Sequence, residues 1–295
     1  MLALTLVAAS CAQAQEVELG YQWRKGDAAE VSIVVEGRGE ARQLEAALPL
    51  SLSAAIEARE EVTRLSTGGT AIITTTWKSA DLVVDGEKVS VPTGKTVLEK
   101  KVGRLGESHW SRTRGKPPTA RREGSARALG VEHLALLDLL VEQVEYPLLP
   151  PYAVEVDGTW ETRETADFGG EQIQLRQTTR LASVGTGAEA GLCQLETTIE
   201  GPLQFTVPAE ELRFTGKIAG TIDRSFDNTA GRLNSGEGLF EFDLRANPTW
   251  LGALPAADDE PIPPTDGEIA GGAPLEGVPD LFRLKMTFMV RVTRQ

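Results

Sequence analysis

The chain has 295 residues, of which 41% are hydrophobic and 25% charged, inside the globular range and outside that of disordered chains. Its formal charge of -13 repels phosphate backbones, which excludes a nucleic-acid partner except at a local basic patch.

The chain opens with a short apolar run, Leu2 to Ala9, far below the roughly 20 residues of a membrane span. Small residues follow, and Ala12-Gln13-Ala14 fits the A-x-A rule, so residues 1–14 read as a signal peptide cleaved before Gln15. No basic residue precedes the run, and a buried N-terminal strand is the alternative reading. Ala8-Ala9-Ser10-Cys11 resembles a bacterial lipoprotein box, with Ala8 where that box favours Leu, which makes Cys11 a candidate lipidation site. Either processing route leaves Cys193 without an intramolecular partner, which excludes a disulfide framework and predicts a free structural thiol.

Period-2 alternation dominates the rest and predicts a mainly β fold of large antiparallel sheets, a curved half-barrel or two β lobes. Leu48, Leu50, Leu52, Ala54, Ile56 and Ala58 alternate with small or polar residues, and Ala71 to Trp77 follows as a second strand. Leu82 to Val91 is a hairpin, because Asp85-Gly86 supplies the positive φ angles of a tight primed turn. Later strands are expected over 153–162, 172–184, 191–199, 211–226, 232–244 and 281–293. Residues 131–144 break the pattern, with Leu134, Leu137, Val141 and Val144 at helical spacing and Pro147 as a stop. Leu136, Leu139 and Leu140 widen the stripe, so this one apolar helix is expected to be buried against a sheet, as a plug or as a lid over a ligand cavity.

Two segments read as loops. Ser111 to Arg127 carries six bases, Arg112, Arg114, Lys116, Arg121, Arg122 and Arg127, against Glu123. Gly252 to Asp280 is Pro-rich and holds seven acids with no base. Both are longer than ordinary connections, and their opposite charges suit an approach across the fold. Trp23 near Gly26 and Trp160 near Gly158 form a weak internal echo, which suggests an N-terminal β lobe over 15–146, with the basic loop and the helix, and a C-terminal β lobe over 147–295, with the acidic loop.

Chemical motifs are mostly rejected. Gly94-Lys95-Thr96 lacks the first glycine of a phosphate loop, since Val89 stands there, and Gly185, Gly187 and Gly191 miss the dinucleotide spacing and read as a turn. HExxH, CxxC and G-x-S-x-G do not occur, and Asp258, Asp259, Glu260 and Asp266 lack the calcium-loop spacing. No catalytic residue, metal ligand or cofactor site is therefore assigned; His109 and His133 are the only imidazoles on which a hydrolytic site could be built. Trp77, Trp160, Phe205 and Leu137 are candidate lining residues of an apolar ligand cavity between sheet and helix, the alternative being ordinary core.

Tyr21-Gln22-Trp23 before Gly26-Asp27, Leu149-Pro150-Pro151 leading to Val154–Trp160, and Phe226–Leu233 resemble uncharacterised exported bacterial β-rich families, domains of unknown function that carry no assigned site. A more distant likeness is to the half-barrel lipoprotein carriers of the periplasm, which implies a curved antiparallel sheet with covering helices and an acyl-chain ligand. The expectation is an exported, extracytoplasmic bacterial protein of non-enzymatic binding or envelope-structural role. The alternatives are a periplasmic carrier of a lipid or other apolar molecule, and a hydrolase with an unrecognised site. The partners to match are an apolar small molecule or an envelope protein, with a membrane contact only through an anchor at Cys11.

Overall fold

The computed structural model describes residues 16–43, 46–90, 93–94, 97–114, 121–122, 131–168, 171–207, 212–248 and 282–295. Residues 1–15, with Cys11, and most of both charged segments lie outside these residues. The strands are β1 (Ala28–Gln43), β2 (Ala46–Leu65), β3 (Ala71–Val84), β4 (Glu87–Ser90), β5 (Val97–Val102), β6 (Ser108–Arg114) and β7 (Arg121–Arg122). The helix α1 (Val131–Glu145) then leads to β8 (Thr159–Phe168), β9 (Glu171–Val184), β10 (Leu192–Val207), β11 (Leu212–Asp227), β12 (Arg232–Pro248) and β13 (Phe282–Arg294).

The fold is mainly β, one antiparallel sheet in the order β6-β5-β3-β2-β1-β13-β12-β11-β10-β9-β8, with β4 and β7 to one side of β3. It consists of two meanders, each pairing strands that are close in sequence, as short connections favour. The N- and C-terminal strands join them: β1 pairs β13 from Val31↔Arg294 to Arg42↔Arg283. The division expected at Pro147 falls just after α1, and the strands on either side of it belong to the same sheet.

The sheet is not closed, because β6 pairs only β5 and β8 pairs only β9 among the described residues. It curls instead. The helix touches β12, β13 and β8, strands up to five places apart in the sheet, which requires the sheet to wrap around it. Leu137, Leu139, Leu140, Val141 and Val144 are all buried, so the helix fills the concave face with apolar side chains on most of its circumference. Around it lies the larger core cluster, with Ile33, Val35, Leu52, Ile56, Ile199, Ile222, Phe240, Phe288 and Val290.

A second cluster closes one end of the sheet, here called the proximal end. Leu19, Tyr21, Tyr146, Leu149, Val154, Trp160, Leu195 and Phe226 form it. Two extended segments build it by bonding to turns. Val17 and Val154 bond each other, the Tyr21 amide donates to Arg104 O, the Gln22 amide to Gly231 O, and the Leu149 amide to Leu105 O. Tyr21 stacks on Trp23 with ring centroids 4.7 Å apart and meets Phe226 edge-on at 5.3 Å. The opposite, distal end carries the β1–β2 and β10–β11 connections.

Several strands follow from local sequence. Asp85 (φ 50°) and Gly86 (φ 79°) make the expected primed turn between β3 and β4. The basic segment expected as a loop from Ser111 is partly strand: Ser111 to Arg114 continue β6, with Arg112 opposite Glu99 on β5, and Arg121 and Arg122 form β7. Composition alone conceals these strands, because a basic run can pair its backbone as well as a neutral one.

Glycines decide how tightly the sheet can pack. Gly37 stands opposite Phe288, and a Cβ there would run into the Phe288 ring. Gly236 and Gly238 on β12 face Val144, leaving room for the helix to approach the sheet. Gly37→Ala is expected to destabilise the fold by about 1–3 kcal/mol through overpacking. Phe288→Leu removes the obstructing ring, so in urea denaturation the double variant should lose less than the sum of the two single variants; strictly additive losses would refute the ring-over-glycine packing.

Candidate functional site

The C-terminal end of α1 enters the sheet interior with its last carbonyls unsatisfied, and no basic residue lies in its last turn. A strand supplies the cap instead. Arg224 of β11 is 2% exposed; its Nε donates to Val144 O at 3.1 Å, one terminal nitrogen donates to Gln143 O, and the other donates to Thr197 Oγ1 at 2.6 Å. Burial pushes this guanidinium down to about 10, with the charge of Glu164 among the influences that hold it up. It remains protonated at neutral pH and meets the negative end of the helix dipole.

Beside the cap lies a buried ionic network. Glu60 Oε2 accepts from Arg294 Nε at 3.2 Å and from a terminal nitrogen at 3.0 Å, while Glu60 Oε1 accepts from Tyr146 Oη at 3.1 Å and Thr75 Oγ1 at 3.3 Å. Lys100 of β5 donates to Glu145 Oε2 at 3.3 Å. Burial alone would raise the Glu60 carboxyl, but the charges of Arg294 and Lys100 and the hydrogen bonds from Arg294 and Tyr146 outweigh it and hold the group below the usual carboxylate range. Burial and the surrounding carboxylates push the Tyr146 phenol well up, so it donates to Glu60 as a neutral group. Lys100 and Arg294 each lie over the Tyr146 ring, 5.4 Å from its centroid.

A third group joins the helix to the edge strand. Glu164 Oε2 of β8 accepts from Gln143 Nε2 and Gln177 Nε2, both at 3.2 Å, and Gln177 Nε2 also donates to Gln143 Oε1 at 2.8 Å. The buried atoms Glu142 Oε1, Thr162 Oγ1 and Gln177 Oε1 have no hydrogen-bond partner among the described residues. Burial, followed by the Glu142 charge, pushes the Glu164 carboxyl up. These groups point inward and bond one another, so the network's chemistry is that of a structural joint.

The residues expected to line a ligand cavity divide between the two clusters. Trp77 packs, partly buried, against the larger cluster to which Leu137 belongs. Trp160 is in the proximal cluster, where its indole N–H donates to Leu148 O at 2.9 Å. Phe205 lies on β10 opposite Phe214, and its side chain is outside the described residues. His109 lies on β6 and His133 opens α1, again with side chains outside them. Cys193 is fully buried in the proximal cluster, and burial pushes its thiol up to about 11, which suits a structural thiol and not a nucleophile.

The sequence reading missed the distal inner wall. Leu50, Gly39, Met286 and Phe242 form one inward row across β2, β1, β13 and β12, and Leu48, Ala41, Leu284 and Leu244 form the next. Phe242 and Leu244 are buried, whereas Leu50, Leu284 and Met286 are half-buried and Leu48 is 54% exposed. The signal was the alternation of Leu48 and Leu50 with Leu52, which marks a face but not its exposure. Elsewhere a shallow depression of about 450 Å³ lies on the outer face, lined by Arg176, Thr198, Glu200, Thr221 and Leu239 among others.

No family model matches the chain, and no curated protein matches it. A solved structure of a protein of unknown function from the DUF3598 family of Nostoc punctiforme is 11% identical over 88% of this chain and 95% of that one, with a TM-score of 0.10. A likeness at that level carries no argument about the present fold or its role.

Arg224→Met leaves two helix carbonyls and Thr197 without their donor, so a loss on the order of 3 kcal/mol is expected, with Arg224→Lys intermediate because an ammonium cannot reach all three acceptors. A lysine variant as stable as the parent would refute the cap. Glu60 and Glu164 should act oppositely on pH. A lowered carboxyl contributes stability above its unfolded value, about 4.3, and that stability is lost as the pH falls through the folded value; a raised one is a liability when ionised, relieved as the pH falls. Glu60→Gln should therefore destabilise at pH 7 and flatten the acid limb of the stability curve. Glu164→Gln should match or exceed the parent at pH 7 and lose that advantage toward pH 4, as read from denaturation midpoints across the range.

Proposed function

We propose that the chain is an exported, non-enzymatic β-rich binding protein whose distal inner wall takes one apolar molecule, such as an acyl chain. The observation that carries this reading is the exposure gradient along the inward rows. The same face that is sealed by α1 at mid-sheet is half open at Leu50, Leu284 and Met286 and open at Leu48. A contiguous apolar surface left accessible beside a filled core supports a binding role. The helix is then the plug that sets the depth of the site, and the buried network holds the plug in place. The leader-like residues 1–14 support the export part of the reading.

The filled core around Leu140 and Val144, both 0% exposed, favours an envelope-structural role as the second reading. Mass spectrometry separates the two. Protein purified from its native envelope, measured intact under non-denaturing conditions and again after organic extraction, should carry an apolar molecule that extraction releases. Leu48→Gln with Leu50→Gln should abolish that retention while moving the unfolding free energy by no more than about 0.5 kcal/mol, as surface changes do. A parent chain whose mass is unchanged by extraction, and which takes up no fluorescent fatty acid, would leave the structural reading in possession.

A further inference from the structure

Charge on the outer face of the sheet is segregated along the strands. On β11, Arg213 and Lys217 precede Asp223; on β12, Glu237 and Glu241 precede Asp243 and Arg245; on β13, Arg283 and Lys285 lie at the distal start. The register brings the basic ends together. Lys217 is opposite Asp243, which is opposite Lys285, which is opposite Glu40; in the next row Arg245 is opposite Arg283, which is opposite Arg42. Among the described residues, six bases thus meet two acids at the distal end of a chain whose formal charge is -13; the seven acids of the Pro-rich segment between β12 and β13 lie outside those residues. Both acids are held by bases of the same patch, Asp243 by Arg283 in a two-pronged pair of 2.7 and 2.9 Å, and Glu40 by Arg42 at 2.7 Å. Arg213, Lys217 and Lys285 are exposed and make no ion pair with another described residue.

We infer that this distal outer face docks on an anionic lipid surface. The inference rests on the binding reading above, because a membrane is where an apolar ligand is collected or delivered. Charge complementarity selects an anionic partner, and two features select a lipid surface among anions. The open apolar rows of Leu48, Leu50, Leu284 and Met286 lie on the inner side of the same strand ends as the bases, which matches the boundary between headgroups and acyl chains. On the proximal outer face Glu36, Glu57, Asp223 and Glu237 stand with Arg291, which is bound to Glu237 at 2.7 Å, so that face offers no comparable excess of bases and the molecule approaches distal end first. An extended polyanion would have to run on over those acids; a flat surface met end-on would not.

The test is co-sedimentation of the full chain with vesicles of phosphatidylcholine alone and of phosphatidylcholine mixed with phosphatidylglycerol, at low and high salt. Binding should require phosphatidylglycerol and fall with salt as the surface potential is screened. Each base removed near such a surface is worth about 1 kcal/mol, roughly fivefold, so Arg213→Gln, Lys217→Gln and Lys285→Gln together should weaken binding about a hundredfold. A control triple of equal charge change outside the patch, Lys78→Gln, Arg104→Gln and Arg176→Gln, should bind within about threefold of the parent. Binding to neither vesicle, as expected if an acidic protein segment covers the patch, overturns the inference, and so does equal weakening by both triples. A chain that retains an extractable ligand but ignores vesicles would sink the docking alone. One that binds vesicles but retains no ligand would sink the ligand reading alone.

Discussion

The bond between Arg224 and the last carbonyls of α1 is the constraint around which the molecule is organised. An open antiparallel sheet with two edges has no intrinsic reason to hold one curvature, since strand twist sets a hand but not a closure. Here the curvature is held from inside. Lys100 of β5, Glu60 of β2, Arg294 of β13, Arg224 of β11 and Glu164 of β8 all belong to the network at the end of a single helix, whose own Gln143, Glu145 and neighbouring Tyr146 answer them. Apolar packing would bury the same helix in many rotations, because it is non-directional. Charge-assisted hydrogen bonds have directions, so they fix the rotation and depth of α1 and, through it, the distance between the two halves of the sheet.

Such a joint requires the helix to come close, and that requirement explains the glycines on the inner face. Gly236 and Gly238 lie where Val144 meets β12. Gly220 lies beside Phe240, and Gly37 beside Phe288, so each large ring is matched with an absent side chain on a neighbouring strand. Large and small residues alternate across the sheet as close packing in a curved layer demands. A glycine within a strand weakens it locally. The long ladders on either side, such as the twelve-position register of β1 with β13, offset that weakness.

Much of this was legible in the sequence, for a physical reason. Strand identity is local, so the alternation of Leu52, Ala54, Ile56 and Ala58, the Asp85-Gly86 turn and the stripe of Leu137, Val141 and Val144 all announced their elements. The strand β1 was missed because Glu30 to Gly39 mixes Val, Ser, Glu, Arg and Gly in a run whose inward side carries Gly37 and Gly39 in place of apolar residues. The network was not legible at all. Glu60, Lys100, Arg224 and Arg294 are separated by up to 234 positions, and each looks like an ordinary surface charge until the fold buries it. The separation of Trp77 from Trp160 was equally hidden, since two indoles on strands of one sheet can lie in different clusters along it.

Register is what converts scattered charges into a polar axis. No strand is strongly basic alone: β11 contributes Arg213 and Lys217, β13 Arg283 and Lys285, and β1 Arg42. Because every strand in this region pairs antiparallel with its sequence neighbour or with the opposite terminus, the distal ends of β1, β11, β12 and β13 meet with alternating chain direction. A base near the start of β13 is therefore placed beside one near the end of β12 and another near the end of β1. The inner face obeys the same geometry, and Leu48, Leu284 and Leu244 align for the same reason. One register thus sets both the basic outer rim and the open apolar inner rim at one end of the sheet, while the proximal end is sealed by Tyr21, Tyr146, Trp160 and Phe226. A molecule built this way has one end sealed by aromatic side chains and another where half-buried apolar rows and a cluster of bases lie on opposite faces of the same strands.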